Sequence, residues 1–152
     1  MEIKNILVAV DGSATSDKAL DFAVALSEKF GAALTVLNVS EALTVGVVST
    51  EQAPSLGVGA NLPVNSKDFR QIHEQILGKS LDRAKKDSPT VAISSILREG
   101  DPVFEIVSVA KEGGFDVVVL GHRGAGKMRE FFVGSVAEKV VHLAPCSVVI
   151  VR

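Results

Sequence analysis

Short β-branched runs alternate with helical patterns along this chain, and that alternation constrains the fold more than any other feature. Ile3 to Val10 reads as a buried strand stopped by the turn Asp11-Gly12-Ser13. Ser13 to Phe30 reads as a helix with Leu20, Ala23, Val24 and Phe30 on its apolar stripe. Either Ser13 or Ser16 can cap it, and Gly31 ends it in the left-handed conformation. Ala33 to Val39 is a second strand. Ser66 to Asp87 is a helix with Phe69, Ile72, Ile76, Leu77, Leu81 and Ala84 on one side. Val91 to Leu97 is a third strand. Asp101-Pro102 opens a third helix, the carboxylate as cap and the proline in the first turn, and Gly113-Gly114 closes it. Asp116 to Leu120 is a continuous apolar strand. A last helix starts near Gly134-Ser135, where Ser135 and Glu138 have capping-box spacing, and Ser147 to Val151 is the last strand.

The order β-α-β-α-β-α-β-α-β without a repeat or linker predicts one α/β domain over residues 1–152. Its core is an open five-stranded parallel sheet with helices on both faces. Such sheets bind ligands beyond the carboxyl ends of their strands, where the strand order reverses. Two turns stand out there: Asp11-Gly12-Ser13 after the first strand and a glycine-rich loop after the fourth. Both serve one site if those strands are neighbours, as in the order 3-2-1-4-5. One stretch breaks the pattern. Glu41 to Asn65 holds Gly46, Pro54, Gly57, Gly59 and Pro63 and shows no period, so it is expected to be mobile and to close over the pocket.

Composition narrows the function. The 152 residues are 47% apolar, as buried parallel strands require, and 152 residues suffice to bury roughly 70% of the unfolded surface. The net charge is −2 with no long basic run, which argues against a nucleic-acid partner. Trp and Tyr are absent, which disfavours base stacking on aromatics. No apolar run approaches the roughly 18 residues of a membrane span. Cys146 is the single cysteine, so no intrachain disulfide forms, and the expected location is the cytoplasm.

The chemistry concentrates in GHRGAGKMREFFVGSVAEK, Gly121 to Lys139. Gly121, Gly124 and Gly126 allow backbone to approach a phosphate closely. Gly134 and Ser135 open a helix whose unpaired N–H groups favour an anion. The Ser135 hydroxyl can contact phosphate, cap the helix or reach a phosphate-bound Mg²⁺, and Arg123, Lys127 and Arg129 add positive charge. The bland reading is a flexible connection before an ordinary capped helix. A P-loop is rejected: Gly121, Gly126 and Lys127 fit its pattern, but Met128 stands where a Mg²⁺-binding hydroxyl belongs. A dinucleotide fingerprint also fails, because Arg129 replaces the third glycine.

Gly121, Gly124, Gly134 and Ser135 fill the pattern G-x2-G-x9-G-[ST], which resembles the ATP-binding subgroup of the universal stress proteins. The resemblance extends to ILVAVDGS (Ile6 to Ser13), the turn Gly100-Asp101-Pro102 and the carboxyl-terminal GSVAEKVVHLAPCSVVIVR. It implies a five-stranded parallel fold, usually homodimeric, that binds ATP or a related adenine nucleotide with its Mg²⁺. Val10 and Asp11 would lie beside the nucleotide, and Val39 would offer backbone hydrogen bonds to adenine. Gly121, Arg123 and Gly124 would approach ribose and phosphates, while Gly134, Ser135 and Val136 would hold the phosphate tail. The expected role is a binding module in regulation or stress response. The alternative is a slow ATP-hydrolysing or phosphotransfer enzyme, for which Asp11 is the one evident base. A flavin-binding domain of similar topology is disfavoured by the scarcity of aromatics. Several residues have plainer readings: His122 as a solvent-facing loop residue, Cys146 as an inert thiol, and Arg98 and Glu99 as a solvated strand end or pocket wall. His73 and His142 lie on helices without partners at metal spacing. The apolar last strand, at a sheet edge, is where a second copy would pair.

Overall fold

The computed structural model describes residues 1–41, 66–124 and 133–152. Five strands, β1 (Asn5–Ala9), β2 (Ala33–Ser40), β3 (Ile93–Glu99), β4 (Val117–Gly121) and β5 (Ser147–Val151), alternate with four helices. These are α1 (Ala14–Phe30), α2 (Ser66–Asp87), α3 (Pro102–Glu112) and α4 (Ser135–Leu143). All strand pairs are parallel, and the order is β3-β2-β1-β4-β5, which makes β1 and β4 neighbours and brings their following turns together. The irregular segment that breaks the pattern lies, apart from Glu41, outside the described residues.

The period-2 alternation of each central strand divides the interior in two. Ile6, Val8, Val36, Val117 and Val119 point to the face covered by α1 and α2, through Leu20, Ala23, Leu77 and Ala84. Leu7, Leu37, Val118 and Leu120 point to the other face, against Val103, Ile106, Val109 and Val140 of α3 and α4. Strands buried on both sides must be apolar throughout, which explains the runs in β1 and β4. Each such side chain contributes roughly 1.5–3 kcal/mol by leaving water.

Caps delimit the helices much as the sequence indicates. Of the two serines before α1, Ser13 is the cap, its hydroxyl accepting from the Ser16 N–H. Asp101 accepts from the Phe104 N–H at 2.9 Å, with Pro102 in the first turn. Strand limits shift by pairing rather than by hydropathy. β1 begins at Asn5 because the Asp116 carboxylate accepts from the N–H groups of Lys4 and Asn5, at 2.8 and 2.9 Å. Those two bonds hold the carboxyl below its usual range. β3 runs two residues later than its apolar stretch predicts, because Arg98 and Glu99 pair with Val39 and Ser40.

The α2 stripe also needs correction. Ile72 is 52% exposed. The inward row passes instead through Phe69, His73, Ile76 and Leu77, spaced three and four residues apart, so a histidine holds a position expected to be apolar.

Two glycines with empty space around a would-be Cβ separate conformation from packing. Gly31 has φ +64°, and Gly78 lies inside α2. Gly31→Ala should cost about 1–2 kcal/mol, whereas Gly78→Ala should gain roughly 0.5–1 kcal/mol. Denaturant midpoints of the two variants should therefore move in opposite directions.

Candidate functional site

Strand order reverses at β1, which pairs with β2 on one side and β4 on the other. Beyond their carboxyl ends lies a cavity of about 530 Å³. It falls within the ordinary size range of small-molecule sites. The residues singled out in the sequence converge there: Val10, Asp11, Val39, Gly121, Arg123, Gly124, Gly134, Ser135 and Val136 all line it. Gly126, Lys127, Met128 and Arg129 lie outside the described residues.

Hydrogen-bond parity orients Val39. In β2, Ala33 donates to Lys4 O and Leu37 accepts from the Val10 N–H, so odd-numbered residues bond toward β1. Leu34 donates to Ala92 O and Ser40 accepts from the Gly100 N–H, so even-numbered residues bond toward β3. Val39 therefore directs its N–H and C=O toward β1, past that strand's last paired residue. The next rung of the ladder would run from the Val39 N–H to Val10 O. The buried Asn38 side chain takes that oxygen instead, its Nδ2 donating at 2.7 Å. No backbone bond among the described residues replaces the missing rung, so the peptide edge of Val39 faces the cavity.

On the β1 turn, Asp11 both closes the turn and lines the cavity. Its Oδ1 accepts from the Ser13 N–H at 2.9 Å, closing a turn in which Gly12 has φ +82°, and the residue also lines the cavity. The Thr15 hydroxyl, in the first turn of α1, donates to Arg123 O at 2.5 Å and ties this turn to the glycine loop.

The glycines have a reason that precedes any ligand. A Cβ on Gly121 would lie 2.8 Å from Thr15 C and 2.9 Å from Thr15 O, so β4 reaches the start of α1 only without a side chain. A Cβ on Gly124 would meet Asp11 Oδ2 at 2.8 Å, and one on Gly134 would lie 3.3 Å from Arg123 Cα and His122 O.

Two site-region readings change, and a third is decided between its alternatives. Ser135 is not the cap of α4: Gly134 is, held extended by its N–H donating to His122 O at 2.6 Å. Ser135 becomes the first helical residue, exposed at the cavity, and the capping box with Glu138 does not form. The N–H groups of Ser135, Val136 and Ala137 open the helix without intrahelical acceptors. His122 is half-buried rather than solvent-facing. Its backbone N–H donates to Val151 O at 2.7 Å, with Nδ1 3.3 Å from the same oxygen, so it fastens β4 to β5. Arg98 turns from the cavity to Glu112 of α3 at 2.5 Å, giving the solvated-end reading. Cys146 keeps its expected character: burial, then the nearby Asp116 charge, push its thiol up, away from the reactive thiolate.

Sequence reasoning missed Phe69 and His73, which line the cavity from α2 with ring centroids 6.4 Å apart. Their i, i+4 spacing was visible, but it resembled an ordinary core stripe. Thr15 and Asn38 carried no signal that their bonds would join separate elements.

Gly121→Ala should lower stability by about 1–3 kcal/mol without any ligand, as overpacking does. A denaturant midpoint equal to the parent's would show that α1 and β4 are less closely apposed.

Residues 2–152 match the universal stress protein family. The universal stress protein YxiE of Bacillus subtilis is 36% identical over 151 residues, 97% of each chain. A crystal structure of a universal stress protein in complex with cAMP superposes with a TM-score of 0.70 at 23% identity, covering 100% of this chain and 99% of that one. The universal stress protein of Archaeoglobus fulgidus in complex with dAMP gives 0.68 at 21%, covering 100% of both. With the match running from the first strand to the last, this chain belongs to the universal stress protein family.

Proposed function

We propose that the chain binds an adenine nucleotide, with ATP and its Mg²⁺ as the fitting ligand, and acts as a regulatory module rather than a fast enzyme. One observation carries this reading: a single cavity joins the outward peptide edge of Val39 to the open amino terminus of α4. The first presents one donor and one acceptor side by side, as the edge of adenine requires. The second presents unpaired N–H groups and the positive end of a helix dipole, which suit a phosphate tail. Between them, Val10, Asp11, Gly121, Arg123 and Gly124 would flank the ribose and first phosphates. Gly134, Ser135 and Val136 would hold the terminal ones, with the Ser135 hydroxyl directed to phosphate or its Mg²⁺. The cAMP and dAMP complexes of proteins with this fold support an adenine ligand.

Binding would act through shape or partner choice, in a cytoplasmic homodimer. β5 is an edge strand with partly buried apolar residues from Val148 to Val151, and it suits pairing with a second copy. Sedimentation at micromolar concentration should give a dimer, and a monomer would remove β5 as a pairing edge.

Because Ser135 does not cap α4, its truncation separates binding from stability. A charge-assisted hydrogen bond is worth roughly 1.5–3 kcal/mol. Ser135→Ala should thus weaken ATP binding by about 10- to 150-fold in calorimetry, with the denaturant midpoint unchanged. Unaltered affinity would move the phosphate site elsewhere. Gly124→Val is less clean, since its Cβ also meets Asp11. Turnover of Mg²⁺-ATP should stay well under about 1 per second; a faster rate abolished by Ser135→Ala would favour the enzymatic reading.

A further inference from the structure

His73 is half-buried on α2, lines the cavity, and brings its Nδ1 within 2.7 Å of Asn38 Oδ1. The proton on this ring is set by a chain of obligatory roles. Val10 O can only accept, so the Asn38 amide turns its Nδ2 toward it. That turns Oδ1 toward His73, and Oδ1 can only accept as well. Nδ1 must therefore carry the hydrogen, and in the neutral ring Nε2 is left with a lone pair. No hydrogen bond among the described residues uses Nε2. The Asn38 side chain thus does two things at one edge of the cavity: it releases the Val39 N–H from the ladder and it sets the tautomer of His73.

We propose that His73 is a specificity-determining residue, its Nε2 accepting from the exocyclic amine of a 6-aminopurine and repelling the carbonyl oxygen of a 6-oxopurine. The inference rests on the nucleotide-binding reading and deepens it. Protonation reverses the preference at this atom: Nε2 becomes a donor, opposing the amine and welcoming the oxygen, while the Nδ1–H bond to Asn38 persists in both states. Burial lowers the His73 pKa, with the Glu41 charge acting in the raising direction, so the neutral acceptor prevails at neutral pH and is lost on acidification below the ordinary imidazole range.

Charged groups face His73 from several elements, Arg123 after β4 among them. Glu41 at the end of β2 and Asp11 at the end of β1 share the cavity. On α2 itself, Arg70 and Glu74 pair at 3.1 Å. From α1, Asp17 and Asp21 pair with Arg83 at 3.4 and 2.6 Å. From β3, Arg98 is held by Glu112, and Glu99 is a carboxylate at the strand's end.

The test is calorimetric titration of the full chain with ATP and with inosine triphosphate, at pH 7.5 and pH 5.5, for the parent, His73→Leu and His73→Gln. Fold integrity is followed by circular dichroism at each pH. The parent should prefer ATP at pH 7.5, and that preference should shrink by roughly 2- to 10-fold at pH 5.5, the worth of one neutral hydrogen bond. His73→Leu should show the smaller preference at both values. His73→Gln can donate to Asn38 through its amide and present its oxygen to the base, so it should keep the larger preference at both. A parent preference that does not change with pH, or a His73→Leu variant that behaves as the parent does, overturns the inference while leaving nucleotide binding intact. A parent that binds neither nucleotide overturns both.

Discussion

The parallel pairing of β1 with both β2 and β4 is the constraint on which the rest depends. A strand with neighbours on both sides and helices over both faces has no solvent side, so Ile6, Leu7 and Val8 are all fully buried. Chain connections leave it in opposite directions: α1 and α2 cover one face, α3 and α4 the other. The crevice that opens where they part is therefore a consequence of topology, and the turns ending β1 and β4 form its floor.

Close approach maintains that crevice. Gly121 brings the end of β4 against the first turn of α1, and the Thr15 hydroxyl bonds across the junction to Arg123 O. Gly134 then turns back onto His122, whose own N–H is anchored on β5. The glycine pattern satisfies backbone packing, and a bound phosphate would place the same demand on it. Both demands favour the same residue because each needs backbone to come nearer than a Cβ allows. The same anchoring aims the open end of α4 into the cavity, so its unpaired N–H groups are positioned by contacts among β4, β5 and α4 rather than by the loop alone.

Asn38 performs the comparable task at the other end. A buried amide is tolerable only when its donors and acceptor are engaged, and here Val10 O and His73 Nδ1 engage it. In doing so it ends the β1–β2 ladder one rung early, which turns the edge of Val39 from a structural group into a group available to a ligand. A leucine at this position would suit the core equally well in volume but would leave Val10 O without its partner.

Strand and helix identity and the glycine–serine pattern were legible in the sequence, whereas the strand order followed only if the two turns serve one site, and pairing in the fold established it. Each depends on local periodicity, turn chemistry or spacing along one segment. Ser13 and Asp101 acted as caps because capping needs only neighbouring residues. Tertiary structure alone decided that Gly134 rather than Ser135 caps α4, that His122 faces β5, that Ile72 is exposed, and that Asn38 and His73 act together. The hydrogen-bonded outcomes among these turn on partners 12 to 35 residues apart in sequence. No local rule measures the geometry between such partners: a histidine in a helical stripe reads the same whether it meets apolar core or a buried amide. Hydrogen-bond direction is set by which atoms the completed fold brings within 3 Å, and that distance does not exist until the sheet has formed.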